Sequence, residues 1–167
     1  SEVALVCGGG RVAFLDFGCS KKLPTPLIEG MRECILAAQD ERWTDFENSC
    51  VRVFGFDADD KDAFELYINY TKLVTTPVTL DADFTFTREY AREAVAYLVR
   101  NGKKLVMKPD AKGESRLSMP KPIHMPTDHT FVNRLQWGLS SVLAGLNATA
   151  NWREIAEPWI RGSLAES

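Results

Sequence analysis

The triplet Asp16-Phe17-Gly18 closes a short apolar run, Arg11-Val-Ala-Phe-Leu15. A carboxylate at the end of a buried strand, followed by a bulky apolar residue and a glycine, suits the presentation of a metal ion. The strand fixes Asp16, Phe17 packs back into the core, and Gly18 lets the chain turn with any backbone angle. Magnesium takes few carboxylates and fills its shell with water and phosphate oxygens, so one aspartate on a rigid strand fits it. A strand running into an aspartate-initiated turn shows the same three residues, and the triplet alone does not separate the two.

Other chemistry-bearing residues point to structural roles. Gly8-Gly9-Gly10 lacks the G-x-G-x-x-G or G-K-[ST] continuation of a phosphate cradle and reads as a hairpin turn. Asp57, Asp59, Asp60 and Asp62 fail as a calcium loop: counting from Asp57, Asp62 stands where glycine is needed and Ile68 where the bidentate glutamate is needed. They read as a solvated turn that caps a helix. His124 and His129 lack a cysteine or carboxylate cluster that would make them zinc ligands. Cys19, next to Lys21 and Lys22, could be a reactive thiol but reads as a small hydrophobe. Lys103, Lys104, Lys108, Lys112, Arg116 and Lys121 make one segment basic; it reads as a solvated loop, with anionic lipid heads as the alternative contact.

The elements that must position Asp16 follow from hydrophobic period. Val3-Ala-Leu-Val6 and Arg11 to Leu15 flank the glycine turn as a β-hairpin. After Leu23 the period changes from two to 3.6. The first helix starts at Pro26 with Thr25 as cap. The second starts near Thr44 with a Thr44-x-x-Glu47 capping box and ends at Gly55. The third starts at Asp59 or Asp60 and stops before Pro77. The fourth runs from Thr87 to Asn101-Gly102, and residues 103–126 then form no regular element. The fifth follows Pro126-Thr127-Asp128, with Phe131, Val132, Leu135, Leu139, Val142, Leu143 and Leu146 as a core-facing stripe; lying on a membrane is its alternative use. The last begins at Asn151-x-x-Glu154 and bends or ends near Pro158. The fold is thus mainly α: an N-terminal β-hairpin and about six helices. It forms a single domain over 1–167, with 1–23 the hairpin and following turn and 24–167 the helical lobe.

Bulk properties agree. The 167 residues, 45% hydrophobic and 26% charged, suffice for one buried core. A formal charge of -3 gives no field that would gather nucleic acid. Cys7, Cys19, Cys34 and Cys50 form no C-x-x-C pair and read as free thiols of a reducing compartment. No run of 18 apolar residues marks a transmembrane helix, and Ser1 to Val6 shows no signal-peptide pattern.

Two segments resemble a known family. Gly10-Arg-Val-Ala-Phe-Leu-Asp-Phe-Gly-Cys-Ser-Lys-Lys-Leu23 resembles the G-R-hydrophobic-L-D-F-G segment of the UbiB/AarF/ADCK atypical kinases. Met125-Pro-Thr-Asp-His-Thr-Phe-Val-Asn-Arg-Leu-Gln-Trp-Gly-Leu-Ser-Ser-Val-Leu-Ala-Gly-Leu-Asn147 is similar to that family's late helix. The resemblance implies a protein-kinase-like C-terminal lobe that uses ATP and Mg²⁺, is linked to ubiquinone or other prenyl-lipid metabolism, and is cytoplasmic or peripheral to the inner face of a membrane. It carries Asp16 over as the metal ligand, with Phe17 and Gly18 beside it at the nucleotide. The family's K-x-G-Q segment, alanine-rich nucleotide loop, strand lysine, catalytic-loop aspartate and metal-binding asparagine have no counterpart here. The expectation is therefore of a lobe that needs parts supplied from elsewhere, or of a degenerate relative serving as a non-catalytic helical interaction domain.

Overall fold

The computed structural model describes residues 4–6, 12–14, 21–55, 58–109, 115–117 and 127–162. It is mainly helical. Strands β1 (Ala4–Val6) and β2 (Val12–Phe14) pair antiparallel, with Leu5 opposite Ala13. Six helices follow: α1 (Thr25–Gln39), α2 (Trp43–Phe54), α3 (Lys61–Thr79), α4 (Arg88–Val106), α5 (Thr127–Gly145) and α6 (Trp152–Ile160). Two further ladders are small. Strand β3 (Phe84–Thr85) pairs with β6 (Thr149–Ala150), and β4 (Met107–Pro109) with β5 (Ser115–Leu117).

Helices α1 and α2 form a hairpin around the tightest part of the core. Phe46, Cys34 and Cys50 are fully buried there, beside Ala37, Ala38 and Ile68. The turn is three residues, Asp40 to Arg42, with Glu41 at φ 56° and Arg42 N–H donating to the Ala37 carbonyl at 2.8 Å. Gly30 sets the approach of the pair: a Cβ on it would stand 2.3 Å from Val53 Cγ2. Helix α2 ends at Gly55, whose φ of 67° is left-handed and inexpensive only for glycine.

Several ends differ from the sequence expectation. Helix α1 starts one residue early, capped by Pro24 with no side-chain bond, because proline geometry suits a first turn whose N–H groups are unpaired anyway. The Thr44/Glu47 box does not form; α2 begins at Trp43 behind Arg42. Of the two aspartates proposed for α3, Asp60 is the cap and accepts from Ala63 N–H at 3.2 Å. Helix α3 does not stop before Pro77 but runs through it to Thr79. Helix α4 is capped by Thr87 Oγ1, which accepts from Tyr90 N–H, but passes Gly102. Gly102 makes a stop easy without requiring one. The segment expected to be irregular supplies the end of α4 and the β4–β5 hairpin, whose register sets Lys108 opposite Arg116. Asn151 caps α6 by accepting from Glu154 N–H, and Pro158 lies inside that helix.

The stripe expected to be core on α5 is the largest correction. Leu135, Leu139, Val142 and, just past the helix end, Leu146 are exposed, at 48%, 61%, 61% and 72%, whereas Phe131, Val132 and Leu143 of the same stripe are half-buried. Ala144 of α5 is buried, and two further side chains tie the helix to α3: Gln136 Nε2 donates to the Val74 carbonyl at 2.9 Å, and Trp137, itself 37% exposed, donates Nε1 to the Tyr70 hydroxyl at 2.8 Å. Hydrogen bonds, which an apolar count cannot see, set the rotation of the helix.

Candidate functional site

Asp16, Phe17 and Gly18 lie outside the described residues, as do Cys7, Cys19, Asp57 and His124. The structure does describe what flanks the triplet. Strand β2 ends at Phe14, and the chain is again defined from Lys21. Lys21 forms an ion pair with Asp128 in the first turn of α5, and its Nζ stands 5.9 Å from the centroid of the Phe131 ring. The start of α5 and the chain that follows the triplet are therefore held together. An acidic residue in the first turn also complements the positive end of the helix dipole.

Beside this contact lies a groove of about 460 Å³, lined by Pro24, Leu27, Gly30, Arg52, Val53 and Asp128. The cation on its wall, Arg52, pairs with Glu33 across α1 and α2, and its Asp128 pairs with Lys21. Among the described residues no group of three or more His, Cys, Asp or Glu side chains converges to hold a metal ion.

A second cavity, of about 400 Å³, lies between α1, α3 and α5 and is mostly apolar; Met31, Tyr67, Tyr70, Val74 and Trp137 are among its walls. Burial raises the Tyr70 phenol above its ordinary range, against a smaller lowering by Trp137. The phenol stays neutral and accepts the indole N–H, so this pair orders the wall and offers no acid or base near neutral pH.

The end of α3 gathers four side chains from four helices. Tyr90 Oη donates to the Leu73 carbonyl at 3.0 Å, Gln136 Nε2 to Val74, Gln39 Nε2 to Val78 at 2.8 Å, and Arg153 Nη1 to Thr79 at 3.4 Å. Sequence reasoning missed these residues. The signal was present in Pro77: a proline inside a helix leaves the carbonyl four residues earlier without its N–H, so a donor had to come from elsewhere.

Comparison with family models, with curated proteins and with solved structures found no match. No helix among the described residues is long and apolar enough to cross a membrane.

Proposed function

We propose that this chain acts as the C-terminal lobe of an ATP- and Mg²⁺-dependent phosphotransferase or ATPase of the UbiB/AarF/ADCK type, with Asp16 as the carboxylate that meets the metal. The observation that supports this reading is the Lys21 contact with Asp128 and Phe131. It joins the two segments that carry the family resemblance, which lie more than a hundred residues apart in the sequence. Magnesium, when bound, neutralises charge on the nucleotide phosphates. On this reading the protein's part is positional: Asp16 would be the metal carboxylate with Phe17 and Gly18 as its positioning neighbours, and Lys21 fastens the chain that follows them to α5. Phosphoryl transfer depends almost wholly on such placement and charge stabilisation, and the residues that would cover the phosphates have no counterpart here.

The test has two arms. The chain by itself should show no kinase turnover and little ATP affinity, and micromolar binding of Mg-ATP in isothermal titration would contradict that. In a protein that carries the remaining parts, Asp16→Asn should lower Mg-ATP binding or hydrolysis at least tenfold, about 1.4 kcal/mol, with thermal stability nearly unchanged. Full retention of activity removes Asp16 from the metal site, and unfolding makes the triplet a structural turn. One observation favours the second reading, a non-catalytic helical interaction domain: the outward apolar face of α5. On that reading no nucleotide measurement responds to Asp16→Asn.

A further inference from the structure

Helix α5 packs on α4 and reaches α3 through two long side chains, Gln136 to the Val74 carbonyl and Trp137 to the Tyr70 hydroxyl. Bonds of that length hold α3 and α5 at a distance instead of closing them together, and both residues line the apolar cavity of about 400 Å³ that lies there. A cavity of about 150 Å³ takes a benzene ring. This one has room for a fused pair of rings with a small polar group attached.

The walls select the rings. Phe54, Tyr67, Tyr70 and Trp137 bring aromatic surface to the cavity from α2, α3 and α5. A ring set offset or edge-to-face against such surface gains more than its buried area alone provides.

Two polar groups select what the rings carry. Tyr70 is only 7% exposed, and its oxygen accepts the Trp137 N–H at 2.8 Å. Among the described residues its own hydroxyl hydrogen has no acceptor, so a buried donor is left over at the cavity wall. The second group is Arg134, which lines the cavity and is exposed, and so stands at its rim. Among the described residues no carboxylate pairs with it. It precedes Trp137 by three residues, one turn along the same side of α5, and Trp137 is the residue that touches the Tyr70 hydroxyl. A neutral O–H inside and a guanidinium at the rim suit one group above others: a carboxylate, which accepts from both and matches the planar fork of arginine. Pockets for small molecules share this plan of mostly apolar walls with a few polar groups that orient the ligand.

We infer that this cavity binds a small aromatic carboxylate, with its rings against Phe54, Tyr67 and Trp137 and its carboxylate between the Tyr70 hydroxyl and Arg134. This does not rest on the catalytic reading above.

Isothermal titration of the chain with 2-naphthoate, and with the neutral 2-naphthamide beside it, tests the assignment. Naphthoate should bind one to one and tighter than about 1 mM, the affinity that a ligand of this size reaches at ordinary efficiency. Arg134→Gln should weaken naphthoate at least tenfold and leave naphthamide within twofold. Because that side chain is exposed, the thermal midpoint should not move. Tyr70→Phe should weaken both compounds, since each offers an oxygen to the phenol; should that variant fail to fold, the two Arg134 measurements decide alone. No binding of naphthoate up to several times that concentration overturns the inference, as does naphthoate binding that ignores Arg134→Gln. It is equally overturned if an aliphatic acid of similar volume, decanoate, binds the cavity more tightly than naphthoate does, because the aromatic walls would then select nothing.

Discussion

The phenolic oxygen of Tyr90 lies 3.0 Å from the main-chain oxygen of Leu73, four residues before Pro77. Proline has no N–H, so Leu73 lacks the donor that a regular helix would supply. A hydroxyl from α4 replaces it. The next carbonyl, Val74, receives Gln136 from α5.

Removing this donor should be costly in proportion to the vacancy it fills. Tyr90→Phe leaves a half-buried carbonyl without its partner and should destabilise the fold by about 1–3 kcal/mol. In a Pro77→Ala background, where residue 77 regains an N–H, the same change should cost less than half as much. Urea midpoints of the four proteins in this cycle decide the point; equal costs in both backgrounds would show that Tyr90 stabilises by packing alone.

Two glycine-to-alanine changes should have opposite signs. At Gly30 the new methyl would stand 2.3 Å from a β-branched side chain that cannot swing away freely. Overpacking of this kind costs about 1–3 kcal/mol, which outweighs the gain in helix propensity. Gly138→Ala meets no neighbour and should raise the stability of the fold by about 0.5–1 kcal/mol. Thermal unfolding reads both, and a stabilised Gly30→Ala protein would mean that α1 and α2 are not held this close.

Alkaline pH should weaken the fold. The Cys50 thiol is raised above its ordinary 9.0 by its hydrogen bond with Cys34 and by burial. The phenols of Tyr67, Tyr70 and Tyr90 are raised above 10.0, chiefly by burial. In each case the folded state favours the neutral form. The associated stability is complete below the ordinary value and is lost as pH climbs from there towards the raised one. Urea midpoints should therefore not respond to these four groups near pH 7 and should drop from about pH 9 upward. Tyr90→Phe should make that drop shallower, and an unchanged slope would exclude Tyr90 from it.

The thiols should be silent in the folded protein. Cys34 and Cys50 are buried with Sγ atoms 3.5 Å apart, a contact between free thiols and well beyond a covalent S–S length of about 2.05 Å. A thiol reagent should leave both unmodified until the chain unfolds. After denaturation without reductant all four cysteines should titrate, and a smaller count would reveal a disulfide involving Cys7 or Cys19.

Much of the architecture was legible because it is written in period and punctuation. The 3.6-residue recurrence placed the six helices, and Gly55, Asp60 and Asn151 marked ends through conformations and cap bonds that are local. What was not legible is set by partners distant in sequence. Pro77 argues locally for a stop, and Tyr90 and Gln136 override it by bonding the carbonyls of Leu73 and Val74, 17 and 62 residues from them in sequence. The α5 stripe has the period of a buried face, but period gives only a helix's apolar side; what that side meets depends on the rest of the molecule. The two-residue β3–β6 ladder is too short to show alternation at all. Of the candidate site, the sequence made Asp16 conspicuous and noted Lys21 only as a neighbour of Cys19, since an ion pair with Asp128 has no local signature.

The clasp on α3 also orders events in time. Gln39 emerges from the ribosome before the carbonyl it serves, but Tyr90, Gln136 and Arg153 emerge 17, 62 and 74 residues after theirs. At a synthesis rate of about 5–20 residues per second, Thr79 waits several seconds for its arginine. Over that interval the α1–α2 hairpin has every residue it needs, while the carbonyl of Thr79, and for most of it that of Val74, still lacks its side-chain donor. A nascent chain stalled before Arg153 would therefore carry a finished hairpin and an unsealed third helix, the form in which a chaperone would first meet it.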